Sequence, residues 1–314
     1  MEIIENLKID RFLNFIEPIV KNERLNKVLL FLSTLLFTLI LFTIAITPSA
    51  TGYEVDIYGA YPSYLWGLII VSLLLGITIV MFSESKKYIT YGFIIIVLTN
   101  LILLSIQFLR GYFFFIGGDL FTHVGFARDI SEFGHISSRN FYPLQHIFMI
   151  DIHYVTDLSI NMSSRFLSPV FYLLFVISLY IFLREYSFTK FKYCLVFGSL
   201  LLFGSQYISP LPNILSFLFF SLVLYILVKI KNSQYKIRTN IMLFIVALSV
   251  VFFHPITSLY LLLVLAAFRM IGYFYSKFLD WNYDLTYLNI TIISTGGVWI
   301  VWHMGFSSIR RGVN

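Results

Sequence analysis

Charge is what this sequence has least of. Asp, Glu, Lys and Arg make up 12% of its 314 residues, about half the share of a soluble domain. A solvated surface of ordinary size cannot be built from so few. That shortage excludes a soluble enzyme, a nucleic-acid-binding domain and a disordered protein. Cysteine is nearly missing too. Cys194 stands alone, so no intrachain disulfide can form, and its place inside an apolar run gives no sign of reactivity. The N-terminus also lacks the short basic stretch and apolar core of a cleavable signal peptide; the first 26 residues, MEIIENLKIDRFLNFIEPIVKNERLN, are charged throughout.

What the sequence has instead is apolar length. Hydrophobic residues make up 59% and aromatics 19%, with a mean hydropathy of +0.85. The excess lies in runs near the ~20 residues that cross a bilayer core of about 30 Å: 28–47, 63–82, 89–109, 166–183, 193–208, 213–228, 240–253, 256–273 and 287–304. The expectation is an all-α polytopic transmembrane bundle of about nine spans. Pro48, Pro62, Pro210, Pro212 and Pro255 fall at the proposed boundaries, where a missing N–H costs least. Ahead of the first span, Ile3, Ile4, Leu7, Phe12, Phe15 and Ile16 fit either a weak amphipathic helix on the membrane or a solvated helical tail.

Net charge is +6 and the pI 9.2, which elsewhere would point to a polyanion. Here the basic residues sit in short loops, so they read as a topology signal. With the N-terminus inside, every Lys and Arg except Arg110, Arg128, Arg139, Arg165, Arg310 and Arg311 falls on the inner side. This predicts a multi-pass protein of the cell membrane with a cytosolic N-terminus. All six histidines (His123, His135, His146, His153, His254 and His303) then lie on the outer side or at outer span ends. Glu54, Asp56, Asp119, Asp129, Glu132, Asp151 and Asp157 do so as well. Any chemistry faces outward.

The expected organisation is residues 1–26 as a cytosolic or interfacial segment, 27–109 as three spans, 110–165 as a long outer loop and 166–314 as the remaining spans. The loop carries helical patterning of its own, and long ordered loops are commonly functional. It opens with Arg110 and the aromatics Tyr112, Phe113, Phe114 and Phe115, suited to headgroup depth. Gly117-Gly118 permits a turn that aims Asp119 back toward the membrane. From Asp119 the text DLFTHVGFARDISEFGHI reads as a helix stopped by Gly134. Asp119, His123 and Phe126 share one face; Arg128 and Glu132 share the opposite one. Asp119 and His123 can therefore converge on a ligand, proton or metal ion. Equally, Asp119 can serve only to cap the helix, with His123 as a polar neighbour. Residues 141–158 predict a second interfacial amphipathic helix, started by Pro143, with His146, His153 and Asp157 along one stripe. His146 and His153 lie about 10 Å apart along such a helix, which argues against one zinc ion between them. Arg128, Arg139 and Arg165 fit either ion pairs with the outer acids or bidentate grips on an anionic headgroup or phosphate.

Together these features resemble the C-type glycosyltransferase superfamily (GT-C fold), in an archaeal-type form. Gly118-Asp119, His123 and Arg128 match the acidic first-loop motif of its oligosaccharyltransferases, an Asp followed four residues later by His and then by a basic residue. Tyr142-Pro143-Leu144 opening a second loop helix is a further likeness, as are a span ending near Arg184 and the pair His254-Pro255 at an outer span end. The likeness covers about residues 110–270. It departs in that the family usually has its acidic loop after the first span, whereas further spans precede it here. No soluble C-terminal domain follows RRGVN; the expectation drawn from this is a shortened member, a split gene or an inactive relative.

The resemblance implies transfer of a sugar from a polyprenyl-phosphate donor to a glycan, lipid or protein acceptor on the non-cytosolic face, by inverting displacement. It implies Asp119 as base and His123 as its orienting partner. Arg128, Arg139 or Arg165 would hold the donor phosphate, with His146, His153, Asp157 and His254 as further pocket candidates. It names no certain cofactor and leaves a divalent metal ion open. Membrane lipids are expected partners; nucleic acid is not. The alternatives are a catalytically inactive membrane subunit of the same fold, or a transporter or lipid flippase.

Overall fold

The computed structural model describes residues 23–112, 119–185, 191–200, 210–232, 236–278 and 286–306. Every regular element among them is a helix, in the order α1 (Glu23–Ile46), α2 (Ile57–Ala60), α3 (Ser63–Phe82), α4 (Lys86–Leu109), α5 (Asp119–Phe133), α6 (Leu144–Thr156), α7 (Ile160–Glu185), α8 (Phe191–Ser199), α9 (Pro212–Phe217), α10 (Phe220–Asn232), α11 (Lys236–Phe253), α12 (Pro255–Phe278) and α13 (Thr286–Met304). Contacts divide the chain into two compact units, Met1–Phe113 with Thr189–Leu202, and Phe114–Phe188 with Phe203–Asn314.

Among the described residues six helical stretches are long and apolar enough to cross a membrane: Glu23–Ile46, Ser63–Phe82, Lys86–Leu109, Ile160–Glu185, Pro212–Ile230 and Pro255–Phe278. Ile237–Phe253 and Leu288–Met304 are apolar but shorter. Of the ninth expected run, 193–208, only the part in α8 and Leu200 falls within the described residues. The proposed interfacial helix at 3–16, the turn at Gly117-Gly118 and the terminal RRGVN lie outside them. The helices wear their apolar side chains outward: Phe31 is 67% exposed, Ile293 73% and Val301 78%. Water would penalise such a surface; hydrocarbon would not.

Several polar residues of these helices point inward instead, among them Asn26, Ser33, Ser72 and Thr99. In α1 the buried positions Asn26, Ser33 and Ile40 recur every seven residues, the spacing of a left-handed helix seam. Small and hydroxyl residues suit such seams in membranes because they let backbones approach. Gly76 of α3 and Gly92 of α4 carry this furthest. A Cβ on Gly92 would lie 2.9 Å from the Gly76 carbonyl oxygen, and one on Gly76 would lie 3.1 Å from that of Gly92. One turn from Gly76 and two from Gly92, the Ser72 and Thr99 hydroxyls meet at 3.3 Å. Hydroxyls with no partner across a seam return to their own helix: Thr34, Thr38 and Thr43 each donate to the carbonyl four residues back.

In the first unit the turn between α1 and α3 is tied to the end of α4 by ion pairing. The Arg110 guanidinium donates to both oxygens of Glu54, through Nε at 3.1 Å to each, and to the Pro48 carbonyl. It also lies over the Tyr61 ring, 5.6 Å from its centroid. Tyr112 donates its hydroxyl to the same carboxylate. The Arg110 hydrogen bond holds the Glu54 carboxyl below its ordinary range. Burial, then the Glu54 bond, pushes the Tyr112 phenol up to about 12.

In the second unit Ile160 begins α7, so Asn161 and Arg165, read above as loop residues, belong to its first turns. Asn161 is also the head of the sequon Asn161-Met162-Ser163, and it is 5% exposed; a glycan has no access there. Beneath α5 and α6 lies a core of Ala127, Met149, Leu167, Phe171, Leu215 and Phe253, which fixes α5, α6, α7, α9 and α11 as one frame.

The glycine contact yields a paired prediction. Gly92→Ala forces Cβ against backbone and should destabilise the protein by about 1–3 kcal/mol. Gly67→Ala, on α3 with nothing within 4 Å, should be neutral or stabilise by about 0.5–1 kcal/mol through helix propensity. Thermal unfolding in detergent separates them. Equal melting temperatures for the two variants would contradict the close approach.

Candidate functional site

The site builds from α5 upward. The helix starts at Asp119, whose carboxylate is exposed and favourably placed at the positive end of the helix dipole. It stops at Gly134, whose φ of 70° is a left-handed conformation that glycine adopts without strain. One turn in from Asp119, His123 points to the interior and is 4% exposed. Pro143 opens α6, and three residues on His146 is fully buried. The two rings stack at 5.2 Å between centroids, and His123 Nδ1 lies 2.9 Å from His146 Nε2.

A third ring bridges to the rest of the unit. Tyr142 lies 5.6 Å from the His123 ring, 6.2 Å from His146 and 6.0 Å from His254. His254 is the single residue between α11 and α12; its Nδ1 caps the start of α12, 3.2 Å from the Thr257 hydroxyl. Two indoles lock the end of α13 to this region. Trp299 donates to the Pro255 carbonyl at 3.0 Å and Trp302 to the Phe141 carbonyl at 2.8 Å. Directly after Trp302 in sequence, His303 is buried, its Nδ1 2.9 Å from the Trp299 carbonyl. Four histidines from four segments thus gather at one end of the unit, three of them joined by Tyr142, with His303 beside His254 and Asp119 beside His123.

Burial above all lowers the His123 imidazole to about 4, with the Asp119 carboxylate pulling it up and His254 pushing it down further. Burial, then His123, lowers His146 to about 3. Both rings are neutral at physiological pH, so each carries one proton to place. His146 Nδ1 makes no hydrogen bond among the described residues, and an unpaired buried N–H is rarer than an unpaired acceptor. We therefore assign the His146 proton to Nε2, donated to His123 Nδ1. His123 then carries its own proton on Nε2, available to an oxygen outside the pair. Asn140 Nδ2 and Oδ1, Gln145 Oε1 and His303 Nε2 are likewise buried and without a partner among the described residues. Buried polar atoms are ordinarily satisfied, so each of these atoms is a candidate contact for a polar ligand.

The other expected residues fall elsewhere. Arg128 sits on the far face of α5 and donates to Asn161 Oδ1 at 3.2 Å. Arg165, half-buried in α7, lies 3.5 Å from Met162 Sδ. Arg139 is exposed in the connection from α5 to α6, and its side chain makes no hydrogen bond or ion pair among the described residues. His153 closes the far end of α6, with Nδ1 2.5 Å from the Leu158 carbonyl, and Asp157 is its left-handed cap at φ 58°. His146, His153 and Asp157 share a helix but no site. Among the described residues no three His, Cys, Asp or Glu side chains are placed to hold a metal ion. Sequence reasoning paired Asp119 with His123 but gave His303 no role and took Tyr142 only as part of a helix start. The Trp299 and Trp302 flanks were the available signal for His303.

The sequence matches no protein-family description, no curated protein and no solved structure.

The buried pair sets an acid limit. In the unfolded chain these imidazoles take up protons below the ordinary 6.5, while in the folded one they wait until about 4 and about 3. Their folded affinities for protons are depressed, so their stabilising effect is complete above pH 6.5 and is lost as pH falls toward 4. The melting temperature in detergent should drop between pH 7.5 and pH 5. In His146→Gln, which has one titrating ring fewer, the drop should shrink. The same drop in both proteins would contradict the assignment.

Proposed function

We propose that this protein is an integral membrane glycosyltransferase that uses a polyprenyl-phosphate-linked sugar, with its chemistry at the Asp119–His123 end of the second unit. One observation carries the reading: an exposed carboxylate starts a helix one turn from a buried, neutral imidazole that a second imidazole holds in place. That is the arrangement a general base needs. The bundle of long apolar helices suits a donor whose prenyl tail stays in the bilayer.

In this mechanism an acceptor hydroxyl attacks the anomeric carbon from the side opposite the phosphate. Its proton passes to the Asp119 carboxylate as the new carbon–oxygen bond forms. The bond from carbon to phosphate oxygen breaks, and the electron pair leaves with the prenyl phosphate. His123, fixed by His146, donates its Nε2 proton toward the carboxylate and so orients it. The leaving phosphate is already anionic and needs only a cation nearby. Arg128 is engaged with Asn161 on the opposite face, so Arg139 is the better candidate for that role.

A second reading, a proton-coupled transporter or flippase, is favoured by the succession His146, His123, Tyr142 and His254, with ring centroids 5.2, 5.6 and 6.0 Å apart. Chains of titratable groups within a membrane protein commonly relay protons.

The test is Asp119→Asn in membranes supplied with a polyprenyl-phosphate sugar and acceptor. Transfer should fall by about 100-fold or more, the usual contribution of a general base, with expression unchanged, and Arg139→Gln should weaken donor use. Transfer at the normal rate in a well-expressed Asp119→Asn protein would refute the assignment. Substrate-driven proton uptake into liposomes without sugar transfer would establish the second reading in its place.

A further inference from the structure

Far from the histidines, the other half of α12 carries a feature that neither reading uses. Arg269, Met270, Tyr273 and Phe274 of α12 and Asn289 of α13 line an open cleft of about 360 Å³. Arg269 Nε donates to Asn289 Oδ1 at 2.9 Å. Among the described residues its terminal nitrogens make no hydrogen bond, and none of those lining the cleft is acidic. The guanidinium instead lies 6.0 Å from the centroid of the Tyr273 ring. Lys277 adds a second cation two turns beyond Arg269, its Nζ 6.0 Å from the same ring and 5.7 Å from that of Phe278. Around these charges Met270, Ile271, Phe274 and Phe278 are each at least half exposed.

The depths of these groups along the helix say what fits. Arg269 lies about 22 Å along the axis from His254, and Lys277 about 34 Å, at 1.5 Å per residue. A hydrocarbon core is about 30 Å thick. With His254 at one bilayer surface, Lys277 reaches the opposite headgroups and Arg269 sits just beneath them. A guanidinium at that depth is costly unless its donors are met, and the one polar side chain beside it takes only Nε. A bidentate phosphate matches the two terminal nitrogens. The methionine and aromatic surface alongside suits a hydrocarbon chain and is poorly suited to a free anion.

We propose that this cleft binds the phosphate headgroup of an anionic phospholipid, held by Arg269 with Lys277 beside it, while an acyl chain lies along the exposed face of α12. The site is independent of the Asp119 chemistry and lies toward the opposite end of its helix.

The test uses the full chain in nanodiscs of phosphatidylcholine containing a minor fraction of phosphatidylglycerol, with the retained lipid identified by mass spectrometry after transfer to detergent. The native protein should retain phosphatidylglycerol in preference to phosphatidylcholine. Arg269→Gln should lower that retention about tenfold, the value of one charge-assisted bond. Lys277→Gln, an exposed change that leaves the fold intact, should lower it about fivefold, as for one cation near an anionic surface. Three results would overturn the proposal: no preference for phosphatidylglycerol in the native protein; undiminished retention in Lys277→Gln together with a folded Arg269→Gln; or displacement of the lipid by inorganic phosphate at equal concentration. Should Arg269→Gln not fold, as judged by its melting curve, the native preference and the Lys277→Gln result decide the matter.

Discussion

Because the long helices present Phe, Leu and Ile outward, each hydroxyl, amide and imidazole on them must find its partner inside the same helix or across a helix contact. This constraint shapes both units. It sends Thr34, Thr38 and Thr43 back to their own carbonyls, draws Gly76 and Gly92 into backbone contact, and leaves Asn26 and Ser33 facing inward from a helix that is otherwise apolar. It also explains why histidine gathers rather than scatters. A neutral imidazole is both donor and acceptor, so it can be satisfied by a second imidazole, as His123 is by His146. Lysine, a donor only, has no such option and stays at helix ends.

The two charged features described here solve the same problem differently. Arg110 is saturated by Glu54 and the Pro48 carbonyl, with Tyr112 closing the carboxylate from the other side. It is a structural clasp with nothing left to offer a ligand. Arg269 has only Asn289, bound through Nε, and so keeps the part of its guanidinium that grips phosphate. A count of arginines would treat them alike; their partners separate a clasp from a binding group.

The Asp119–His123 pair stands between these cases. The carboxylate is exposed, while the imidazole behind it is held neutral by burial, with His254 adding to the effect, and is fixed in place by His146. Tyr142 and the two indole anchors extend that rigidity to the start of α12 and the end of α13. For the proposed base, such support would limit drift during proton transfer.

Much of the frame was legible in the linear text. Apolar run length anticipated α1, α3, α4, α7 and α12, since a span is defined by composition over about 20 residues. Gly134 and Pro143 marked a helix end and a helix start, because the backbone preferences that make them punctuation are local. The helical period placed Asp119 beside His123 and Arg128 behind them, for the same local reason. The run at 166–183 began six residues late because Asn161, Ser163 and Ser164 are polar yet buried, and Arg165 half-buried, by neighbouring helices, which hydropathy cannot register. That His146 would meet His123 rather than His153, that Trp302 would bring His303 to the loop helices, and that Arg139 alone of three arginines would stay unengaged were decided by tertiary packing. Those contacts join residues 23 to 161 positions apart, and no rule of spacing along one helix reaches across such distances.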